Sequence, residues 1–504
     1  MSGKREEHEE RNLGSTLRGG DDRCAIVDLS DPDNPRELTY TQLDNLADGA
    51  ARALADRGVG RAQTVGIVAE NSLEFIAALL GIMRVGAVAV PVNFKFPDET
   101  LRFVFDDSAI TITFADVKNA GRVPEPCEVL SLAPDAFAQF VDFGDFQPIT
   151  PNVRETGLIL YTSGSTGRPK GVLLSHASQW AMVDRMRGNM EGLSGTVAAP
   201  LYHMNGMLMS FNLMHGRGTV VLMPRFEAAR YLRALDAYRV NVVTGVPTML
   251  SLMARERSLI DSLDLSCVTS VAIGSAPLSE TVIAETLAMF PGARLSNGYG
   301  TTEAGAGMFG RHPDGVPTPP LALGYPASHV EIRLVDVRSE AKCLEGVLEV
   351  RTPAAMNGYL NNPEKTAEKV NADGWIDTGD IMRVDEDGFY YFVGRNDDMF
   401  VCGGENIFPG EVERILEGDP RIVEACVVPV SDAVRGQMPV AFVTISCPDG
   451  IDEQAVKDVV LANAPPHMHP RHVHFLEEMP LAGTNKIDRK ELEDRANAAA
   501  RSAG

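Results

Sequence analysis

The sequence predicts an α/β protein in which mostly parallel sheets carry flanking helices, followed by a smaller α+β unit at the C-terminal end. Three observations lead there. Val65-Gly66-Ile67-Val68 reads as a buried strand, Ser72 starts a capped helix that runs to 83, and residues 87–91 are the next apolar strand, which is a βαβ rhythm. Val242-Val243-Thr244-Gly245-Val246-Pro247-Thr248 and Ser270-Val271-Ala272-Ile273-Gly274-Ser275-Ala276-Pro277 are each an apolar strand ending in Gly and Pro before a helical pattern, the place where ligands sit in an open α/β sheet. After residue 397, strand-like runs at 425–428, 440–445 and 473–476 alternate with helical patterns at 410–416 and 452–462, in a stretch of roughly one hundred residues, an ordinary domain size.

Length and composition bound the reading. A chain of 504 residues is too long for one core, and 44% hydrophobic residues are ample to fill several. The net charge of −23 argues against nucleic acid or an anionic membrane as partner, so a polyanionic ligand needs a local site that works against the global field. The seven cysteines (24, 127, 267, 343, 402, 426 and 447) show no metal-ligand or CxxC spacing, which fits a reducing compartment. Residues 1–12 are polar and are expected to be a frayed tail, neither a signal peptide nor a transit helix. The longest apolar stretch, 75–90, is interrupted by Gly81, Arg84 and Gly86 and is too short to span a bilayer. A cytoplasmic location follows, and a homodimer is compatible with everything in the chain.

In chain order, Leu43, Leu46, Ala50 and Leu54 recur at helical spacing after Thr39 and stop at Gly58. Residues 118–151 hold five prolines and little periodicity and are expected to be an irregular connection. Next comes Tyr161-Thr162-Ser163-Gly164-Ser165-Thr166-Gly167-Arg168-Pro169-Lys170-Gly171, set between the apolar runs 157–160 and 172–174, so it reads as a loop joining two strands. Its glycines allow a close approach to an anion, its hydroxyls are donors, and Lys170 is a point charge: a phosphate loop, or else a solvated Gly/Ser turn. It is not a Walker A loop, since Pro169 precedes the lysine, Gly171 follows it, and a strand rather than a helix comes next. Strands at 219–222, 242–246 and 270–274 and a helix at 228–238 continue the alternation, and no 20–50 residue repeat is present.

Asn297-Gly298-Tyr299-Gly300-Thr301-Thr302-Glu303 adds a lone carboxylate among hydroxyls. Together with the loop, Trp375-Ile376-Asp377-Thr378-Gly379-Asp380, Gly394-Arg395-Asn396-Asp397-Asp398 and Lys486, it resembles the adenylate-forming superfamily of acyl- and aryl-CoA synthetases, peptide-synthetase adenylation domains and luciferase. Five motifs in the family's order, spanning about 38 to 492, make the resemblance specific. It implies an N-terminal domain of 1–395 that binds ATP and the acid, and a mobile C-terminal domain of 396–504 with Asp397 as hinge.

The implied reaction is attack of a carboxylate on the α-phosphate of ATP, giving acyl-AMP and pyrophosphate, then transfer to coenzyme A. Two anions must meet, so the site needs cations and donors for charge that develops in the transition state. Glu303 is the Mg²⁺ candidate, because a hard cation prefers carboxylate oxygen. Thr302 is placed to bond the α-phosphate, and Lys486 matches the catalytic lysine of adenylation. The nucleotide would be held by Thr162, Ser163, Gly164, Ser165, Thr166, Gly167 and Lys170, by Ser275, Ala276 and Pro277, and by Asn297, Gly298, Tyr299, Gly300 and Thr301. Asp380 would accept from the ribose hydroxyls with Arg395 beside it. Tyr299 as a core aromatic, and Asp380 with Arg395 as a surface ion pair, are the alternatives.

By the same resemblance the acid pocket is bordered by His203, Gly206, Met207, Val246, Gly274 and Gly305. These are small or apolar, and no lysine or arginine falls among them. A second carboxylate on the substrate would therefore lack a partner unless Arg311 reaches in. Both an aryl acid and a short or medium aliphatic acid fit. Gly403 and Gly404 resemble the loop along which the pantetheine arm of CoA passes. Two positions depart from the pattern: Asn485 stands where glycine usually precedes the lysine, and His467-Met468-His469-Pro470-Arg471 stands where many CoA ligases have an aromatic-Lys-x-Pro run. An adenylation enzyme that loads a carrier protein is the rival reading. A silent nucleotide sensor is disfavoured, because it needs no transfer lysine.

Overall fold

The computed structural model describes residues 11–17, 21–31, 33–162, 168–186, 189–276, 278–336, 343–432, 435–446, 450–481 and 487–503. Two seven-stranded sheets form the body. One runs in the order Arg294–Gly298, Ser270–Gly274, Val242–Gly245, Ser194–Val197, Thr219–Leu222, Cys24–Asp28, Arg36–Thr39. All its neighbours are parallel except the last pair. The other runs Gly358–Tyr359, Lys170–Ser175, Thr156–Thr162, Val88–Pro91, Thr64–Val68, Ile112–Ala115, Glu128–Ser131. Its first two pairings are antiparallel and the rest parallel.

Between these sheets lie the helices Tyr40–Asp56 and Leu73–Arg84, and their core draws Ile26 and Val220 from the first sheet and Val65 and Leu158 from the second. Thr39 and Gln42 form a capping box at the start of the first helix, and the Ser72 side chain accepts from Phe75 N at the start of the second. Every residue of Leu73–Arg84 is buried, as expected of a helix apolar on all sides and covered by a sheet on each face. Its one cation, Arg84, is fully buried and compensated by the Asp44 and Asp48 carboxylates at 2.5 and 2.7 Å.

A four-stranded antiparallel sheet, Glu331–Val335, Glu345–Arg351, Ile376–Val384 and Tyr390–Arg395, follows. The C-terminal unit begins with Phe400–Cys402 in a separate sheet, where Glu405–Ile407, Gly436–Ile445 and Ile422–Asp432 join it and His472–Phe475 adds in parallel. Helices Pro409–Glu417 and Glu453–Asn463 cover this sheet over a core of its own.

Two sequence expectations are corrected here. The 118–151 connection contains a strand, Glu128–Ser131, and a helix, Pro134–Phe140, whose Phe137 and Phe140 pack edge-on against Phe114. The strand is a four-residue edge with half its residues exposed, and Pro134 opens the helix, so neither element shows a long apolar period. Residue 12, expected to lie in a frayed tail, is instead packed. Asn12 is buried and donates to the Met83 and Ile149 carbonyls, and Leu13 N donates to His176 Nδ1 at 3.0 Å. Residues 1–10 lie outside the described residues.

Candidate active site

The phosphate loop is carried by a hairpin-like pair. Strands Thr156–Thr162 and Lys170–Ser175 pair antiparallel with Thr162 opposite Lys170, which sets both at the mouth of the segment between them. Ser163, Gly164, Ser165, Thr166 and Gly167 lie outside the described residues. The Lys170 ammonium lies over the Tyr359 ring, 4.8 Å from its centroid. Tyr359 is buried because the two-residue strand Gly358–Tyr359 pairs with Val172 and Leu173 of the lysine's own strand. Its hydroxyl donates to Glu303 Oε1 at 2.8 Å. Burial first, then the nearby Glu303 charge, pushes the phenol above its ordinary range, so it stays a proton donor. Lys170 and Glu303, distant in sequence, are thus joined through a residue that sequence reasoning passed over.

Glu303 is held further by its own carbonyl, which accepts from Met356 N at 2.8 Å. Its second carboxylate oxygen has no protein partner among the described residues, and there no group of three or more His, Cys, Asp or Glu side chains converges. The donor set suits Mg²⁺, a hard cation that fills its shell from one carboxylate, phosphate oxygens and water.

A second cluster lies on the four-stranded sheet. Asp380 and Arg395 are register partners on adjacent antiparallel strands, with Arg395 Nη1 3.5 Å from Asp380 Oδ1. The Tyr299 hydroxyl donates to Asp380 Oδ2 at 2.5 Å. Burial raises the Asp380 carboxyl above its usual range, opposed mainly by the Arg395 charge and then by the Tyr299 bond. The three side chains form one network, in which Asp380 is buried, Tyr299 half-buried and Arg395 exposed.

The carboxyl ends of the first sheet lead into this region. Gly274 and Gly298 are register partners, and a Cβ on Gly274 would lie 2.6 Å from the Gly298 carbonyl oxygen, so only glycine fits. Ser275 follows at φ +66, a conformation costly for a side-chain-bearing residue, and Ala276 is half-buried next to it. Asn297 Nδ2 donates to Leu321 O. Gly300 pairs with Ala306 and Thr301 with Gly305, and Thr301 Oγ1 accepts from Ala304 N at 3.1 Å, so Thr302 and Glu303 sit at the tip of a two-stranded turn. Pro277 and Lys486 lie outside the described residues. Leu481 and Ile487, on either side of residues 482–486, pair as a bridge.

Among the expected acid-pocket residues, Gly305 adopts φ +78, and a Cβ there would meet Met182 Sδ at 2.8 Å. Val246 immediately precedes the helix Pro247–Arg255 and is buried, and His203 immediately precedes Met204–His215 with its ring edge-on to Tyr202. Gly206 and Met207 have a packing reason of their own: a Cβ on Gly206 would strike the Ala199 carbonyl oxygen, and Met207 belongs to the core between the sheets. Arg311 is exposed. The arginine that does reach the 304–307 segment is Arg185, whose Nη2 donates to Ala306 O at 3.3 Å.

In the C-terminal unit Gly403 and Gly404, at φ +62 and +92, turn the hairpin between Phe400–Cys402 and Glu405–Ile407 with open space around them. Positive φ at both central residues is what such a two-residue turn demands. Asp397 is exposed, with an oxygen 3.7 Å from Arg395 Nη2. His469 is engaged locally by the Pro466 carbonyl and Arg471. A cavity of about 720 Å³ lined by Arg11, Thr16, Ile149, Trp180 and Arg217 contains none of the motif residues.

The AMP-binding enzyme family matches residues 15–360, and the AMP-binding enzyme C-terminal domain matches 411–486. The chain belongs to the AMP-binding enzyme family. It is 31% identical to a 4-coumarate–CoA ligase 2 of Oryza sativa subsp. japonica over 91% of this chain and 87% of that one. It is also 31% identical to a feruloyl-CoA synthase of Amycolatopsis sp over 91% and 94%. ATP-bound MatB from Rhodopseudomonas palustris superposes with a TM-score of 0.86 at 25% identity, covering 97% and 99% of the two chains. This AMP-binding enzyme has no helix, among the described residues, long and apolar enough to cross a membrane.

Proposed function

We propose that the chain is an AMP-forming acid–CoA ligase acting on an aryl acid or a short to medium aliphatic acid. The observation that carries the reading is the chain Lys170–Tyr359–Glu303, which fixes a cation and a metal-competent carboxylate beside the phosphate-loop strands. The acid's carboxylate oxygen bonds the α-phosphorus of ATP while the bond to pyrophosphate breaks. Mg²⁺, when bound at Glu303, neutralises phosphate charge. Lys170 faces the phosphates, the Thr302 hydroxyl donates to the α-phosphate, and Lys486 bridges the attacking carboxylate and that phosphate. Asp380, held by Tyr299 and Arg395, accepts from the ribose hydroxyls. In the second step the CoA sulfur bonds the acyl carbon and AMP leaves, with the Gly403-Gly404 turn beside the pantetheine arm. The relatives that act on 4-coumarate and ferulate support an aryl acid. The six cysteines among the described residues are free thiols, which supports a cytoplasmic location.

The test is a panel of carboxylic acids with ATP, Mg²⁺ and CoA, following pyrophosphate, AMP and thioester. Acid-dependent AMP and pyrophosphate with a CoA thioester are expected. ADP as the nucleotide product, or turnover without acid, would overturn the reading.

A further inference from the structure

Three well-held arginines of this chain are paired with carboxylates, whereas Arg414 is held by the Phe392 and Val393 carbonyls. Arg84 has Asp44 and Asp48, Arg36 has Asp28 and Glu74, and Arg489 has Glu413 on both guanidinium nitrogens. Arg185 differs. Its Nη2 donates to the Ala306 carbonyl, its Nη1 is shielded from solvent with no hydrogen-bond partner, and no carboxylate approaches it among the described residues. Burial alone pulls the guanidinium below its ordinary range. In a protein of net charge −23, an uncompensated half-buried cation is costly, and a second charge is expected to come from outside.

A neighbouring group repeats the pattern. His329 Nε2 is likewise shielded and without a partner among the described residues. Burial, then the Arg185 charge, holds the imidazole at about 4, so it is neutral at ordinary pH and close enough to feel the guanidinium. Ala327 N donates to Met308 O, which brings the turn bearing His329 back to the 304–308 segment. The Gly305–Ala306 strand is also where Met182 Sδ accepts from Ala306 N, from the helix that precedes Arg185. Two polar atoms with no protein partner among the described residues therefore belong to segments that meet at the 304–308 backbone, which is expected to border the acid pocket.

We propose that Arg185, with His329 beside it, is the polar end of the acid pocket and selects a carboxylic acid that carries a second anionic oxygen group, a carboxylate, away from the one that is adenylated. The inference rests on the ligase reading above and adds the substrate class. Nη1 supplies the donor and the charge, and a carboxylate on a buried guanidinium makes a charge-assisted hydrogen bond that a neutral ether or hydroxyl does not equal.

The experiment measures kcat/KM for pyrophosphate release with matched acids: benzoate and terephthalate, hexanoate and adipate, and the neutral oxygen-bearing 4-coumarate and ferulate. The wild type should favour the diacid of at least one pair. Arg185→Gln should lower that diacid-to-monoacid ratio by about 10²-fold, the usual consequence of removing one partner of a buried charge pair, and Arg185→Lys should keep part of it. Without acid, Arg185→Gln should melt no lower than wild type, because it removes an uncompensated charge. Three results would overturn the proposal: an unchanged ratio, preference for 4-coumarate or ferulate over every diacid, or a lowered Tm in both variants, which would make Arg185 a strut for Ala306. Pyrophosphate release with no acid in the panel would instead overturn the ligase reading itself.

Discussion

At the scale of single residues, the site is organised by hydroxyls that hold carboxylates. Tyr359 offers its ring to the Lys170 ammonium and its hydroxyl to Glu303, so one side chain sets the separation of two charged groups. Tyr359→Phe keeps the ring under Lys170 and releases Glu303. The apparent Mg²⁺ requirement of pyrophosphate release should rise ~10–100-fold, the usual range for losing a partner that orients a metal ligand, while the melting temperature changes little. An unchanged Mg²⁺ titration would remove Glu303 from the metal role. Lys486→Ala should cut adenylation by ~10²–10³ and spare thioester formation from supplied acyl-AMP, since the proposed contact is made only in the first transition state. Parallel loss of both half-reactions would point to misfolding. Tyr359 could have been suspected from an aromatic at a strand that pairs beside the phosphate loop. Arg185 could not, because its 121-residue separation from Ala306 leaves no local pattern.

At the scale of elements, the parts legible in the sequence are those with a strong period or a cap. The strands Thr64–Val68 and Val88–Pro91 are four-fifths or more buried runs, and Ser72 caps the helix between them as its side chain requires. The segment Glu128–Ser131 was hidden because an edge strand needs no continuous apolar face. The helix Pro409–Glu417 carries a feature that no periodicity announces. Glu417 sits among the Glu413 and Glu424 carboxylates and Arg414, and burial, first of all, pushes its carboxyl up to about 8. A carboxyl whose folded value lies above its unfolded one contributes stability that is fully present below the ordinary value near 4.5 and lost as pH rises through about 8. Glu417→Gln, which cannot ionise, should therefore gain on wild type in urea midpoint between pH 5 and 8 and hold that advantage at pH 9. Midpoints that differ by the same amount at pH 5 and pH 9 would show that the carboxyl is not titrating in the fold.

At the scale of the whole molecule, the proposed reaction asks one C-terminal unit to serve two half-reactions. Asn396 N donates to Gly379 O and so belongs to the four-stranded sheet, whereas Phe400 already belongs to the C-terminal one. Only residues 397–399 join the two. The C-terminal unit is held in this structure by polar contacts, among them Thr281 Oγ1 donating to Glu417 O at 3.2 Å, Arg255 3.8 Å from Glu424 and Arg414 donating to the Phe392 carbonyl, and by Phe408 lying against Gly394. Polar contacts of this kind are compatible with domain rotation. We propose that Asp397 absorbs that rotation, bringing Lys486 to the adenylate in one orientation and the Gly403-Gly404 turn in the other. Its side chain is exposed and only loosely paired to Arg395, so a substitution there disturbs little packing. Proline fixes φ near −65° and restricts Asn396 to extended conformations, so Asp397→Pro should trap one orientation, the adenylating one. Acid-dependent pyrophosphate release should then persist while thioester formation from pre-made acyl-AMP and CoA falls by at least ~10²-fold, a loss of the size expected when a reacting group is held out of position. Equal retention of both rates in the folded variant would place the hinge elsewhere in 397–399 or show that the two steps share one orientation.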